Sequence, residues 1–246
     1  MLELAIKNNE TVRGSLFLDD RVMPGFSKLN PSVISITERF QPERARVERF
    51  IEATFEKAYG AHLPGHYPTL MSVHNAEGDI LAAVGFRFAE DGPLFLEQYL
   101  PDPIETQLTT ASGEPVDRKT ITEIGSLASA GGGASLFLFI ALVAYLKSHG
   151  LTHAAVTATR ELRSAFRFLR LSPTDLGRAC SDDLPDHGAQ WGSYYETEPR
   201  VLAGSLAATY ARLEKFIPEQ QNQGMARLFS RLHYDLEGDL AEGDLT

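Results

Sequence analysis

The pattern of apolar and polar positions predicts a sheet-forming chain. Runs of apolar and β-branched residues with polar breaks are typical of strands, and they occur at residues 15–18, 32–36, 69–73, 80–89, 121–129, 154–159, 190–195 and 200–202. The turn from Asn75 to Gly78 predicts that the third and fourth of these strands form a hairpin. Gly85 inside a strand indicates a bulge or the close approach of another group.

Helical periodicity is clearest in two segments. Apolar residues recur near every 3.6 positions over residues 42–60 and 160–171, which predicts two amphipathic helices. Shorter patterns predict helices over residues 206–216 and 222–232. Residues 101–119 are polar and interrupted by prolines, so we expect a loop there.

The segment of residues 121–150 combines a strand, ITEIGSLAS, a turn, AGGGAS, and an apolar helix, LFLFIALVAYLKSHG. With the strand that follows, this order predicts a right-handed parallel crossover. The helix begins directly after Gly131, Gly132 and Gly133, so several unpaired backbone N–H groups are expected to converge at its start, where the helix dipole is positive. Such a terminus binds anions, although glycine turns before helices are also often only tight connections.

Composition narrows the class of protein. The chain has 246 residues, of which 43% are hydrophobic and 23% charged, as in ordinary globular proteins. A net charge of −10 argues against nucleic acid as the partner, because such binding relies on a basic surface. The single cysteine, Cys180, excludes an intramolecular disulfide framework, and the seven scattered histidines predict no metal site.

Local sequence patterns predict the cellular location and the domain limits. The N-terminus lacks the pattern of a signal peptide, and the longest apolar run, residues 136–146, is shorter than a membrane span of about 20 residues. We therefore expect a cytoplasmic protein without an integral membrane segment. The predicted domain covers residues 32–216, after an N-terminal segment of residues 1–31. A helix at 217–234 and an acidic, disordered tail at 235–246 are expected to follow.

Three stretches resemble the thermostable hemolysin family: ITEIGSLAS with its glycine turn, TATRELRSAFRFLRLSPTDLGRA, and WGSYYETEPRVLAG. The resemblance covers most of residues 32–216. That family is similar to GNAT-type N-acyltransferases, in particular acyl-homoserine lactone synthases and N-acyl amino acid synthases. The resemblance implies an α/β (α+β) fold with a GNAT-like mixed, splayed β-sheet and helices on both faces. The splay is expected near Leu127 to Ser129.

The same resemblance implies an acyltransferase, transferring groups other than aminoacyl groups. It would move a fatty acyl group from acyl-CoA or an acyl carrier protein thioester to a small amine or an amino-acid-like acceptor. The thioester is then a co-substrate, and no permanently bound cofactor is expected. The family name suggests an alternative, a membrane-active lytic protein without enzymatic activity, which the acidic charge disfavours. A binding module that has lost catalysis is a third hypothesis.

Attack of an amine on a thioester needs a base and donors for the developing oxyanion. Glu123 is the predicted base, directly or through water, since a carboxylate half-buried in a strand can have its pKa raised toward neutrality. It also matches the strand glutamate of the acyl-homoserine lactone synthases, and Glu97 is the alternative. Tyr194 or Tyr195 is predicted to protonate the leaving thiolate. Purely structural roles for these side chains stay open at this point.

The predicted binding residues follow the glycine turn. The thioester is expected to contact Leu127, Ala128, Ser129, Gly131, Gly132, Gly133, Ala134, Ser135 and Arg163. Backbone N–H groups of Leu127 or Ala128 are candidates for the oxyanion. Ser126 stands where acyl-homoserine lactone synthases carry arginine, and this position is expected to face the acceptor. Trp191 is also expected to contact the acceptor.

Two further features have open interpretations. The arginines at positions 160, 163, 167 and 170 form a stripe that is either a solvated helix face or a dock for the phosphates of CoA or an acidic carrier protein. Residues Phe137, Phe139, Ile140 and Trp191 either line a tunnel for a fatty chain or belong to the core.

Overall fold

The computed structural model describes residues 2–8, 11–18 and 28–213. Within them, one sheet of nine strands has the order β2-β1-β3-β4-β5-β6-β7-β9-β8. The strands are β1 (Leu2–Asn8), β2 (Thr11–Leu18), β3 (Pro31–Thr37), β4 (Thr69–Asn75), β5 (Ile80–Phe88), β6 (Ile121–Ser129), β7 (His153–Ala158), β8 (Thr174–Arg178) and β9 (Arg200–Ser205). The helices are α1 (Arg44–Tyr59), α2 (Ile104–Ser112), α3 (Ala134–Ser148), α4 (Arg160–Phe168) and α5 (Leu206–Leu213).

The sheet is mixed. Strand β1 pairs in parallel with β3, and β6 with β7, while the remaining neighbours are antiparallel. The predicted hairpin is confirmed, because β4 and β5 pair antiparallel around the turn at Asn75 to Gly78. The parallel connection from β6 through α3 to β7 is confirmed as well.

Helices cover both faces of the sheet, as expected. Alternate residues of a strand point to opposite faces, so Leu70 of β4 packs in the cluster beneath α1, while Met71 packs in the cluster beneath α3. Helix α1 buries Val47, Ile51 and Phe55, which lie on one face of the helix. Helix α3 is apolar around most of its circumference because it lies inside the core.

Two predicted segments are wrong. Residues 101–119 contain helix α2, which begins after Pro103 and buries Ile104 and Leu108, one helical turn apart. Residues 190–195 are two 3₁₀ turns, Ala189–Trp191 and Tyr194–Thr197. Bulky aromatic residues there mimicked a strand, but the chain is tied to the end of α1 instead, where Ser193 N–H donates to the carbonyl of Tyr59 at 2.8 Å.

Strands β1 and β8 were not predicted. Strand β8, TDLGR, is an edge strand with exposed polar residues, which lacks the apolar alternation used to detect strands. The predicted strand at 15–18 is the end of β2. The predicted helix at 222–232, the tail and the end of the 206–216 helix lie outside the described residues, and the domain limits stay predictions. Over the part of the chain that the structure describes, no helix combines the length and apolarity needed to cross a membrane.

Candidate functional site

Strands β6 and β7 separate halfway along β6. They pair in parallel from Ile121 opposite His153 to Ile124 opposite Val156, and the pairing stops there. Strand β6 continues to Ser129, whereas β7 remains paired with β9 on its other side. The predicted splay is therefore present, and within residues 2–8, 11–18 and 28–213 no strand pairs with the β7 side of β6 from Gly125 onward.

A β-bulge lies at the opening of the splay. Gly125 is opposite Gly85 and Ala128 is opposite Ala83, so Ser126 and Leu127 together face the single residue Val84. Ser126 has a φ of 52°, a left-handed conformation that is rare and costly for a residue with a side chain. Bulges re-aim the backbone next to active sites, and this one turns the peptides of Ser126 and Leu127 away from the regular ladder.

A cleft of about 520 Å³ occupies the splay, and we call it the larger cleft. Its walls come from β6, β7, β9, α3, α4 and α5, with Phe55 and Tyr59 of α1 and Val84 of β5. Among the predicted binding residues, it is lined by Ser126, Leu127, Ser129 and Ser135. Ala128 is buried in the cluster beneath α1 instead.

The glycine turn forms the start of α3. Gly131, Gly132 and Gly133 have φ values of 99°, 64° and 89°, a conformation that glycine adopts without strain. Gly131 N–H donates to Ser129 Oγ at 3.1 Å. Among the described residues, no acceptor is present for the N–H groups of Gly132, Gly133, Ser135 and Leu136, and this is the donor set that an anion needs.

A second cleft of about 320 Å³ lies on the other side of the splay, and we call it the smaller cleft. The two clefts share Phe55, Ile124, Gly125, Ser126, Thr157 and Tyr194. They therefore meet at the bulge. Six residues that line the smaller cleft are aromatic, namely Phe55, Tyr67, Phe95, Tyr99, Trp191 and Tyr194. Arg87 and His66 are its side chains that can carry a positive charge.

Glu123 is buried beside this junction, with 1% of its surface exposed. Its carboxylate accepts hydrogen bonds from the N–H groups of Phe95 (2.8 Å) and Leu96 (2.9 Å) and from the Tyr67 hydroxyl (3.1 Å). Arg87 Nε lies 3.7 Å from Oε2. Burial raises the pKa of Glu123, and the two N–H donors, Arg87 and Tyr67 counteract it only in part. Glu123 lines neither cleft.

Tyr67 lies between Glu123 and the smaller cleft. Its ring crosses the paired glycines Gly85 and Gly125: a Cβ on Gly85 would lie 2.7 Å from the Tyr67 side chain, and one on Gly125 would overlap the hydroxyl. The close approach predicted at Gly85 is thus an aromatic ring. Buried Arg44 fixes the loop by donating to the carbonyls of Tyr67 (2.5 Å) and Pro68 (2.6 Å).

Glu97 lies outside both clefts. It forms a salt bridge with Arg118 at 2.6 Å and accepts the N–H of Ile104, the first residue of α2, at 3.0 Å. Burial favours a higher pKa, but the hydrogen bonds from Arg118, Ile104 and Leu94 outweigh it, so the pKa of Glu97 is lowered. Its contacts are those of a carboxylate that holds the start of a helix, and its role as a base stays a prediction.

Tyr194 and Trp191 are at the clefts. Tyr194 lines both, and its hydroxyl donates to the carbonyl of Thr157 at 3.4 Å. Burial raises the pKa of Tyr194 above its usual value, which makes it a weak proton donor for a thiolate. Trp191 lines the smaller cleft. Tyr195 lines neither, and its hydroxyl pairs with that of Tyr99 at 2.6 Å.

The arginines of the stripe have different surroundings. Arg160 pairs with the Glu198 carboxylate at 2.8 Å, and Arg163 donates to the Glu198 carbonyl at 3.2 Å. Neither side chain lines a cleft. Arg170 instead lines the larger cleft, together with Arg212 of α5. Of the apolar candidates for a fatty chain, Phe139 lines the larger cleft, whereas Phe137 and Ile140 are buried core residues.

Sequence reasoning missed Tyr67, Arg87 and Gly125. Gly125 lies in the predicted strand ITEIGSLAS, and Gly85 is predicted to mark a bulge or a close approach, but only the β5 to β6 register shows that the two glycines pair. Tyr67 lies 56 residues before Glu123, in a proline-containing loop with no motif. No sequence signal connects them.

The splayed mixed sheet, the bulge and the helix N-terminus at the splay form a GNAT-like fold. The profile of the thermostable hemolysin family matches residues 37–210, and the chain belongs to that family. The predicted fold class and family are thus confirmed.

The solved structures that are similar to this chain include two synthases. FeeM, an N-acyl amino acid synthase from uncultured soil microbes, has a TM-score of 0.52 at 16% identity, over 76% of this chain and 98% of FeeM. The acyl-homoserine lactone synthase LasI has a TM-score of 0.51 at 12% identity, over 75% of this chain and 93% of LasI. At such identities the likeness establishes the fold. No curated protein matches the sequence.

Proposed function

We propose that this protein is an N-acyltransferase that moves an acyl group from a CoA or acyl carrier protein thioester to the amino group of an amino acid or a similar small acceptor. The observation that carries the proposal is the junction of two clefts at the bulge of β6. A transferase needs its two substrates to meet at one point from separate sites, and the bulge offers such a point. The cytoplasm, where these thioesters are made, is the proposed compartment.

The larger cleft suits the thioester. The unpaired β6 edge offers backbone groups to the amides of a pantetheine arm, as a neighbouring strand would. The N–H groups of Gly132, Gly133 and Ser135, for which the described part of the chain supplies no acceptor, suit its phosphate. Phe139, whose ring lies 5.7 Å from that of Phe166, contributes apolar surface for an acyl chain.

The amine attacks the thioester carbonyl at the bulge, and the N–H of Leu127, which belongs to no ladder pair with β5, is the better placed of the two predicted oxyanion donors. Glu123 is the proposed ultimate base, since burial raises the pKa of its carboxyl toward the range useful at neutral pH.

The smaller cleft suits an acceptor with a carboxylate and an apolar side chain. Its aromatic walls provide the apolar surface. Arg87 is the residue that would bind the carboxylate: its Nη1 donates to the carbonyl of Pro93 at 3.2 Å, and 30% of its side chain is exposed. Arginine forms strong paired hydrogen bonds with carboxylates.

The test of the donor is native mass spectrometry with CoA, acyl-CoA and acyl carrier protein thioesters of several chain lengths, followed by detection of the N-acyl product and the released thiol. One thiol per amide is the expected stoichiometry. A protein that binds none of these donors, or that hydrolyses them without forming an amide, would contradict the proposal. Release of dye from liposomes by the protein without substrates would favour direct lysis.

The test of the acceptor compares phenylalanine with phenethylamine, which differ only by the carboxylate. The wild type is expected to prefer phenylalanine, and Arg87→Met is expected to abolish the preference. The ratio of the two rates is the readout, because any effect of Arg87 on Glu123 applies to both amines. Arg46→Met, on the exposed side of α1, is the matched control. A ratio unchanged by Arg87→Met would exclude carboxylate binding at this position.

A further inference from the structure

Glu123 has no direct access to either cleft. Its two oxygens are occupied by the N–H groups of Phe95 and Leu96, by Tyr67 and by the nearby Arg87. Its side chain is 1% exposed. An amine in the smaller cleft is therefore separated from the carboxylate by a protein group, and that group is the Tyr67 hydroxyl.

Two glycines create the place for Tyr67. Gly85 and Gly125 are paired across β5 and β6, so no side chain rises from the sheet at either position. The Tyr67 ring occupies this trough, and its hydroxyl rests on Gly125, one residue before the bulge. The hydroxyl thus lies where the clefts meet and touches Glu123 at 3.1 Å.

Surrounding contacts hold this arrangement rigid. Arg44 fixes the Tyr67 backbone from α1, and the Arg87 guanidinium lies 5.2 Å from the centre of the Tyr67 ring. A reacting group needs such support, because small displacements from the productive geometry are costly in rate.

We propose that Tyr67 is the catalytic residue that takes the proton of the attacking amine, and that Glu123 is the positioning residue and proton store behind it. This inference rests on the proposed N-acyltransferase function. It also gives the buried carboxylate a route to the substrate.

The step balances as a proton relay. The amine lone pair forms the C–N bond, and the carbonyl electrons move to oxygen. One amine proton passes to the Tyr67 oxygen while the Tyr67 hydroxyl proton passes to Glu123. The tetrahedral intermediate then collapses, the C–S bond breaks with its electron pair on sulfur, and the thiolate takes a proton from water. Glu123 returns its proton to water through Tyr67, so the sum is thioester plus amine giving amide plus thiol.

Concerted transfer is required. Burial and the nearby Glu123 carboxylate raise the pKa of Tyr67 well above its usual value, so a free phenolate would not accumulate. In the relay the phenol gives and receives a proton together and remains neutral.

The experiment measures kcat and KM of Tyr67→Phe, Glu123→Gln and the double variant. Each single variant is expected to lose about 10²- to 10⁴-fold in kcat, with thioester binding by native mass spectrometry retained. The double variant is expected to be no slower than the slower single one, because both changes break one relay. Tyr145→Phe, a largely buried phenol on α3 away from both clefts, is the matched control.

The outcomes separate the two proposals. A wild type that turns over while Tyr67→Phe keeps its rate overturns the relay alone, and so do multiplicative losses in the double variant. A wild type without turnover overturns the proposed function and the relay with it. Should Tyr67→Phe fold poorly, Glu123→Asp draws the carboxylate back by one methylene and leaves Tyr67 intact; full activity in that variant also overturns the relay.

Discussion

A carboxylate at Ser135 would test the anion site with opposite effects on stability and binding. Ser135 is the second residue of α3 and lines the larger cleft. Ser135→Asp adds one negative charge at the helix N-terminus, and Ser135→Asn adds the same shape without the charge. Comparison of these two variants isolates the effect of the charge.

The two effects have calculable sizes. A negative charge in the first turn stabilises a helix by about 0.3–1 kcal/mol, so the aspartate variant is expected to unfold at a higher temperature than the asparagine variant. The same charge about 5 Å from a bound phosphate costs roughly 0.8 kcal/mol at the dielectric constant of water and about 3 kcal/mol at an effective value of 20. The dissociation constant of CoA is then expected to rise roughly 4- to 200-fold.

The assay is calorimetric titration with CoA, at low and high salt, beside thermal unfolding of both variants. The difference between them is expected to shrink at high salt, because ions screen an exposed pair. Acyl-pantetheine, which carries no phosphate, is expected to bind both variants alike. Equal CoA affinities for the aspartate and asparagine variants would refute the assignment of the phosphate to this helix.

Two further predictions concern the acyl chain and pH. Phe139→Trp, which enlarges a side chain in the larger cleft, is expected to shorten the longest acyl chain accepted by a few carbons; mass spectrometry of the products checks this, and an unchanged chain-length profile would remove Phe139 from the acyl site. Because the pKa of Glu97 is lowered from its usual 4.5 in the folded state, its contribution to stability is present above that pH and is lost as the pH falls through the folded-state value. Glu97→Gln is therefore expected to be less stable than the wild type at neutral pH and to lose less stability on acidification. Stabilities of variant and wild type that fall in parallel between about pH 7 and pH 3 would contradict this.

Much of the fold was encoded in local sequence. The face of α1, the hairpin of β4 and β5 and the β6-turn-α3 unit follow from periodicity and turn residues that act over a few positions. The errors have a common cause. Helix α2 and the 3₁₀ turns near Trp191 are stabilised by distant groups, such as Glu97 at the start of α2 and Tyr59 beside Ser193, and these do not appear in a local pattern.

The sequence by itself determined the composition of the site: a strand glutamate, a glycine turn and a helix N-terminus in one continuous segment. Only the tertiary structure decided which groups surround them. It placed Glu123 behind Tyr67, turned Arg163 toward Glu198 and brought Arg170 to the cleft. The physical reason is register. Pairing Gly85 with Gly125 opens the trough for Tyr67, and that pairing depends on contacts across the whole sheet, which no single segment contains.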